Sequence, residues 1–193
     1  MVVSNLHFLI DATFIIEKTH KSFLGASLFV IEDQDYTFLY GFLRDFLRIR
    51  QTIGVCNGVI AVSKEAYTVT DEKNIQQVIN LINEMRIPYI FDHETTILDI
   101  SAKISSQISY IITQEKKLLY LASDDLSVIF PNDLKNLKKV ECMTPSVIKS
   151  KIGVDPENIP TFFIFDTVYS IIKLDKISGN KAYRIVSRCE WHI

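Results

Sequence analysis

Three carboxylates stand where short apolar runs give way to polar sequence. Asp11 closes "LHFLIDA", Glu94 follows "IPYIF", and Asp125 sits inside "YLASDDLSVIF". Carboxylate oxygens are the natural ligands of hard cations such as magnesium and manganese. Two such ions about 4 Å apart can activate a water and stabilise the leaving oxygen of a phosphodiester. Asp11, Glu94 and Asp125 are therefore the candidate catalytic and metal-binding residues. Each also has a structural reading: Asp11 as a cap for a helix starting near Ala12, Glu94 as a solvated loop residue, and Ser123 to Asp125 as a charged helix cap.

The elements that would position these acids follow from hydrophobic patterning. Short apolar strands are predicted at "LHFLIDA", "GVIAV" (Gly58–Val62), "IPYIF", "KKLLYLA" (Lys116–Ala122) and "KVECM" (Lys139–Met143). Between them lie helices. Phe38–Gln51 carries an apolar face, with Arg44, Arg48 and Arg50 off it, and Asn74–Arg86 is amphipathic with Asp71 or Asn74 as its cap. "TTILDISAKISSQISYIIT" reads as one long helix with Ile100, Ile104, Ile108 and Ile111 on one side. "SDDLSVIF" reads as a short helix, and a further helix starts with Thr144 as N-cap and Pro145 in first position. Alternating strands and helices predict an α/β fold with a doubly wound, parallel sheet. Ligands of such sheets bind outside the carboxyl ends of the strands. That rule gathers Asp11, Ser63, Glu94 and the Ser123–Asp125 group at one edge.

Composition bounds the function. The chain has 193 residues, of which 48% are hydrophobic, enough for a sizeable core. Its formal charge is −2, so any nucleic-acid role must rest on a local basic face. The three cysteines, Cys56, Cys142 and Cys189, are scattered, which indicates neither a disulfide framework nor a zinc site and fits the cytoplasm or another reducing compartment. The amino terminus lacks the pattern of a signal peptide, and no apolar run is long enough for a membrane span.

The order "LIDATF", "ETTILDISAKI", "LLYLASDDLSVIF" and "MTPSVIKSKIGVDPENIPTFFIF" resembles the 5′-nuclease family, which includes the 5′-3′ exonuclease domain of bacterial DNA polymerase I and the flap endonucleases. The resemblance implies a PIN-like three-layer fold over residues 1–160, with a central, mainly parallel sheet. A C-terminal helical segment, residues 161–193, follows, with a remnant helix-hairpin motif. In "KISGNKAYRIVS", Gly179 and Lys181 match the Gly and Lys of the family's DNA-gripping "GIGPKTA" turn; an ordinary Ser-Gly-Asn turn before a helix accounts for them equally well.

The resemblance also exposes departures. Asp11 matches the family's first metal-binding Asp. Ser63 stands where a second strand should end in Asp. "ETTI" keeps Glu94 but has Thr96 and Ile97 in place of the two aspartates of "EADD". "SDDL" keeps Asp125 and has Ser123 in place of the first acid of "D-x-D-L". After the "IP" helix only Asp166 approaches the last acidic pair, and the arch segment "SKEAYTVTDEKN" is short, with Lys64 and Lys73 as its basic residues. Hydroxyls do not replace carboxylate charge, and each metal role is worth several kcal/mol. The expectation is a 5′-3′ exonuclease-like protein with a degraded site, weakly active or inactive, serving as a DNA-binding or protein-interaction relative. The alternative is an active nuclease that uses a reduced set of carboxylates. The implied cofactor, if any, is magnesium or manganese. The implied partners are branched or duplex DNA with a 5′ end, or a protein, and no membrane.

Overall fold

The structure is a computed structural model that describes residues 7–54, 57–131 and 140–163. Its centre is a six-stranded sheet. In chain order the strands are β1 (Phe8–Asp11), β4 (Gly58–Val62), β5 (Tyr89–Phe91), β6 (Tyr110–Ile112), β7 (Ser127–Pro131) and β8 (Val140–Met143). A separate hairpin, β2 (Val30–Ile31) and β3 (Gln34–Asp35), projects between the first two helices. The sheet order is β5-β4-β1-β6-β7-β8, with all pairs parallel except the last.

The strands are apolar on both faces because helices cover both. Ile10, Ile60, Val62, Ile112 and Ile129 face α1 (Ala12–Phe23), α2 (Thr37–Ile53), α3 (Lys64–Val69) and α4 (Glu72–Glu84). The alternate residues Leu9, Val59, Ala61 and Ile111 pack under α5 (Ile97–Ile104) and Leu118. This is the period-two alternation of a buried parallel sheet, and it makes the predicted three-layer α/β arrangement. A third cluster joins Val128, Phe130 and Met143 to Ile148 of α6 (Pro145–Ile152). Thr144 caps α6 through Val147 N, and Pro145 opens it, as expected.

Two close approaches fix α1 against α2. A Cβ on Gly41 would lie 2.7 Å from Thr19 Cγ2 and 2.5 Å from the Phe23 ring. Asp45, fully buried on α2, meets Lys18 of α1 at 3.0 Å, Arg44 at 2.9 Å and Arg48 at 3.6 Å.

The middle of the chain departs from expectation. Residues 95–113 are not one helix: α5 ends at Ile104, Ser105–Gln107 make one 3₁₀ turn, and Tyr110–Ile112 is strand β6. Ile111 and Ile112 are both fully buried, one on each face, which a sheet centre allows and a one-sided helix does not. Lys116–Leu121, expected as a strand, is a 3₁₀ segment with adjacent Leu118 and Leu119 buried; Glu115 caps it by accepting from Lys117 N at 2.9 Å. "SDDLSVIF", expected as a helix, is a turn followed by β7. Of the predicted C-terminal segment only residues 161–163 are described; Asp166, Gly179 and Lys181 lie outside the described residues.

Candidate functional site

The carboxyl edge of the sheet is formed by Asp11 at the end of β1, Ser63 after β4, the 92–96 loop after β5 and Thr113 after β6. Asp11 is both strand end and helix cap: its Oδ1 accepts from Thr13 N at 2.9 Å. Its Oδ2 accepts from the Thr113 hydroxyl at 2.8 Å. Thr113 Oγ1 in turn accepts from Glu115 N at 2.9 Å. On the other side the Thr13 and Ser63 hydroxyls lie 3.1 Å apart, and Ser63 donates to Glu65 Oε2 at 2.6 Å. The same Glu65 oxygen accepts from Ile97 N, the first amide of α5, at 3.2 Å. A chain of hydrogen bonds thus runs from β6 through β1 and β4 to the start of α5.

Asp11 is 2% exposed. Burial pushes its carboxyl up to about 6; the Thr113 and Thr13 hydrogen bonds oppose the rise and the charge of Glu65 adds to it. Asp11 and Glu65 therefore interact, and they are the two acids of this relay.

Glu94 is on the correct edge but turned outward, its side chain 85% exposed and its nearest ionic neighbour His93 at 4.0 Å. The loop that carries it is tied down by Asp92, whose Oδ1 accepts from Glu94 N at 2.9 Å and Thr95 N at 3.0 Å. Thr96 caps α5 by accepting from Asp99 N at 3.1 Å. Asp125 is on the opposite edge. It precedes β7, which runs parallel to β6, so about 10 Å of strand separates it from the level of Asp11. Ser123, Asp124 and Asp125 are exposed in a tight turn, closed by Ser123 N donating to Leu126 O at 2.9 Å and Leu126 N donating to Ser123 Oγ at 3.2 Å. The structure thus brings Asp11, Ser63 and the Glu94 loop to one edge and leaves Asp125 out.

Sequence reasoning missed Thr113, Thr13 and Glu65. The signal for Thr113 was the run "SYIIT", a β-branched and aromatic stretch ending in a hydroxyl after a polar break at 105–107. Glu65 stands three residues past the end of β4, where a strand-end search stops too early.

Among the described residues no three His, Cys, Asp or Glu side chains converge on a metal position. The donor set at the edge is Asp11 and Glu65 with the hydroxyls of Thr13, Ser63 and Thr113. By ligand type it is the kind of set that holds a single magnesium ion, commonly one or two carboxylates with water, but both Asp11 oxygens already accept hydrogen bonds. It does not fit a pair of dications, whose charge two carboxylates leave uncompensated.

A mainly parallel six-stranded sheet sandwiched by helices is a fold that this chain shares with solved 5′-exonucleases. No protein-family model and no curated protein matches the chain. Solved structures do match. Bacteriophage T5 5′-exonuclease with bound zinc is 11% identical at a TM-score of 0.60, covering 94% of this chain and 74% of that one. A T5 flap endonuclease pseudo-enzyme-product complex with DNA and metal ions is 10% identical at 0.59, covering 94% and 75%.

Proposed function

We propose that this chain is a 5′-nuclease-fold protein that binds DNA with a 5′ end, branched or duplex, through a site too poor in acids for ordinary two-ion hydrolysis. The observation that carries this reading is the relay at Asp11. The Thr113 hydroxyl and the Thr13 backbone amide satisfy the one deeply buried carboxylate at the edge where a phosphodiester would lie, and the Thr13 hydroxyl passes the chain on to Ser63. DNA binding is extended to this chain from the T5 complex, which contains DNA and metal ions. The test is a cleavage and binding assay on 5′-flap and nicked duplex substrates with millimolar magnesium or manganese. Binding that weakens with salt and is not followed by cleavage is expected. Metal-dependent cleavage that Asp11→Ala abolishes overturns the reading. If no DNA or RNA binds at any salt, a protein partner replaces nucleic acid as the ligand.

A second reading, an active nuclease with a reduced acid set, is favoured by one observation: Glu65 is joined to the Asp11 edge through the Ser63 and Thr13 hydroxyls. In that case Asp11 and Glu65, with Glu94 swung inward, would hold one magnesium or manganese ion. The ion would supply a water of lowered pKa. Calorimetry separates the two readings, because only the second requires saturable binding of magnesium or manganese that Glu65→Gln removes.

A further inference from the structure

A cavity of about 630 Å³ opens beside the relay, bounded by the Lys116–Leu121 segment, β8 and α6. Gln114, next in sequence to the Asp11 partner Thr113, is part of its lining. The floor is apolar, made by Phe130, Met143 and Ile152. One wall is aromatic: the Phe162 and Phe163 rings stand 5.7 Å apart, edge to face. The charged lining residues are Lys116, Lys151 and Glu141. Lys151 is paired with Glu141 at 3.0 Å, and Lys149 with Asp155 at 3.0 Å. Lys116 is exposed and makes no ion pair among the described residues. Of the lysines lining the cavity, Lys116 is therefore the one that no carboxylate among the described residues neutralises.

We propose that this cavity receives one nucleotide of a bound strand, the base against the apolar floor and phenyl wall and the phosphate at Lys116. The proposal rests on the nucleic-acid reading of the neighbouring edge. A groove that tracked phosphates alone would need the lysines but not a floor of Phe130, Met143 and Ile152. Stacking aromatics combined with cations are what an unpaired nucleotide requires. The cavity volume is in the range of small-ligand sites. Its place at the carboxyl edge, one residue from Thr113, brings a seated nucleotide next to the relay.

Calorimetric titration of the full chain with dAMP, deoxyadenosine, inorganic phosphate and decanoate tests the assignment. Saturable binding of dAMP is expected, with deoxyadenosine and phosphate each at least tenfold weaker. Lys116→Glu, at an exposed position, should weaken dAMP at least tenfold without changing the melting temperature. Ile152→Trp, which fills the floor, should do the same by exclusion. Absence of dAMP saturation, equal binding of deoxyadenosine, tighter binding of decanoate, or indifference to Lys116→Glu overturns the proposal. Salt-dependent binding of 5′-flap DNA, measured on the same proteins, separates the failures. DNA binding that persists while dAMP fails sinks the cavity assignment alone. Loss of both sinks the functional reading with it.

Discussion

The Thr113 hydroxyl donates to Asp11 Oδ2 at 2.8 Å, joining the carboxyl ends of two adjacent parallel strands whose residues are 102 positions apart in the chain. This bond makes the edge of the sheet a single polar unit. It gives a buried acid a neutral donor where a metalloenzyme would set a cation.

Asp11→Asn should change stability with opposite signs at the two ends of the pH range. The unfolded carboxyl ionises near 3.8 and the folded one near 6, so native stability falls as pH rises between those values. Asparagine has no such loss, which is worth up to about 3 kcal/mol above pH 7. It does forfeit one acceptor oxygen toward Thr113, costing about 1 kcal/mol. The variant should be destabilised by about 1 kcal/mol at pH 4 and stabilised by about 2 kcal/mol at pH 8. Urea denaturation across pH 4–8 checks the crossover; a constant difference would refute the burial argument.

Thr113→Val keeps the shape of the side chain and removes its oxygen. Asp11 Oδ2 then loses its donor and Glu115 N its acceptor. A loss of about 1–3 kcal/mol is expected, together with a further rise in the Asp11 pKa. NMR titration of the Asp11 carboxyl carbon reads the second effect, which a packing defect alone would not produce.

Asp125→Ala should leave cation binding and any nuclease activity unchanged, because Asp125 lies at the amino edge of the sheet in an exposed turn. Manganese titration of this variant beside Asp11→Ala makes the comparison. Equal loss in both would require a different sheet register from the one seen.

Asp45→Ala removes the anion that Lys18, Arg44 and Arg48 surround. Burial would raise the Asp45 pKa, but the bonds from Arg44 and Lys18 hold it below its ordinary 3.8. Its stabilisation is therefore present in full above about pH 4 and is lost as pH falls through the lowered folded value. A loss of about 3 kcal/mol at neutral pH is expected from breaking a buried ionic centre. Thermal unfolding at pH 7 and pH 3 should show the gap between variant and parent closing at the lower pH.

Gly41→Ala places a methyl 2.7 Å from Thr19 Cγ2. The gain in helix propensity is about 1 kcal/mol, and overpacking between α1 and α2 costs about 1–3 kcal/mol. A net loss is expected in chemical denaturation. Thr19→Ser, which removes that methyl, should restore part of it in the double variant.

Local chemistry was legible wherever a segment carries its own instructions. The Asp11 strand end, the capped helix at Asp71, the Thr144-Pro145 helix start and the buried "GVIAV" run all announce themselves within a few residues. Those pieces were enough for the α/β class and for Asp11 as one of three candidate acids. The absence of an acid at Ser63 came from the resemblance to the 5′-nucleases, not from these local signals. The middle of the chain was not legible, because its apolar residues satisfy two periods at once. Ile100, Ile104, Ile108 and Ile111 are spaced as on a helix, while Tyr110–Ile112 is also a β-branched strand. Packing between β1 and β7 selects the strand, since only there can Ile111 and Ile112 be buried on opposite faces. That choice changes the two segments that follow, Lys116–Leu121 and the Ser123–Phe130 stretch, while β8 and α6 stand where expected. It carries Asp125 from the carboxyl edge to the amino edge and puts Thr113 beside Asp11 instead. Sequence alone determined which residues could do chemistry here. The tertiary pairing decided which of them meet, because a strand brings its two ends to opposite edges and register settles which end carries the polar residue.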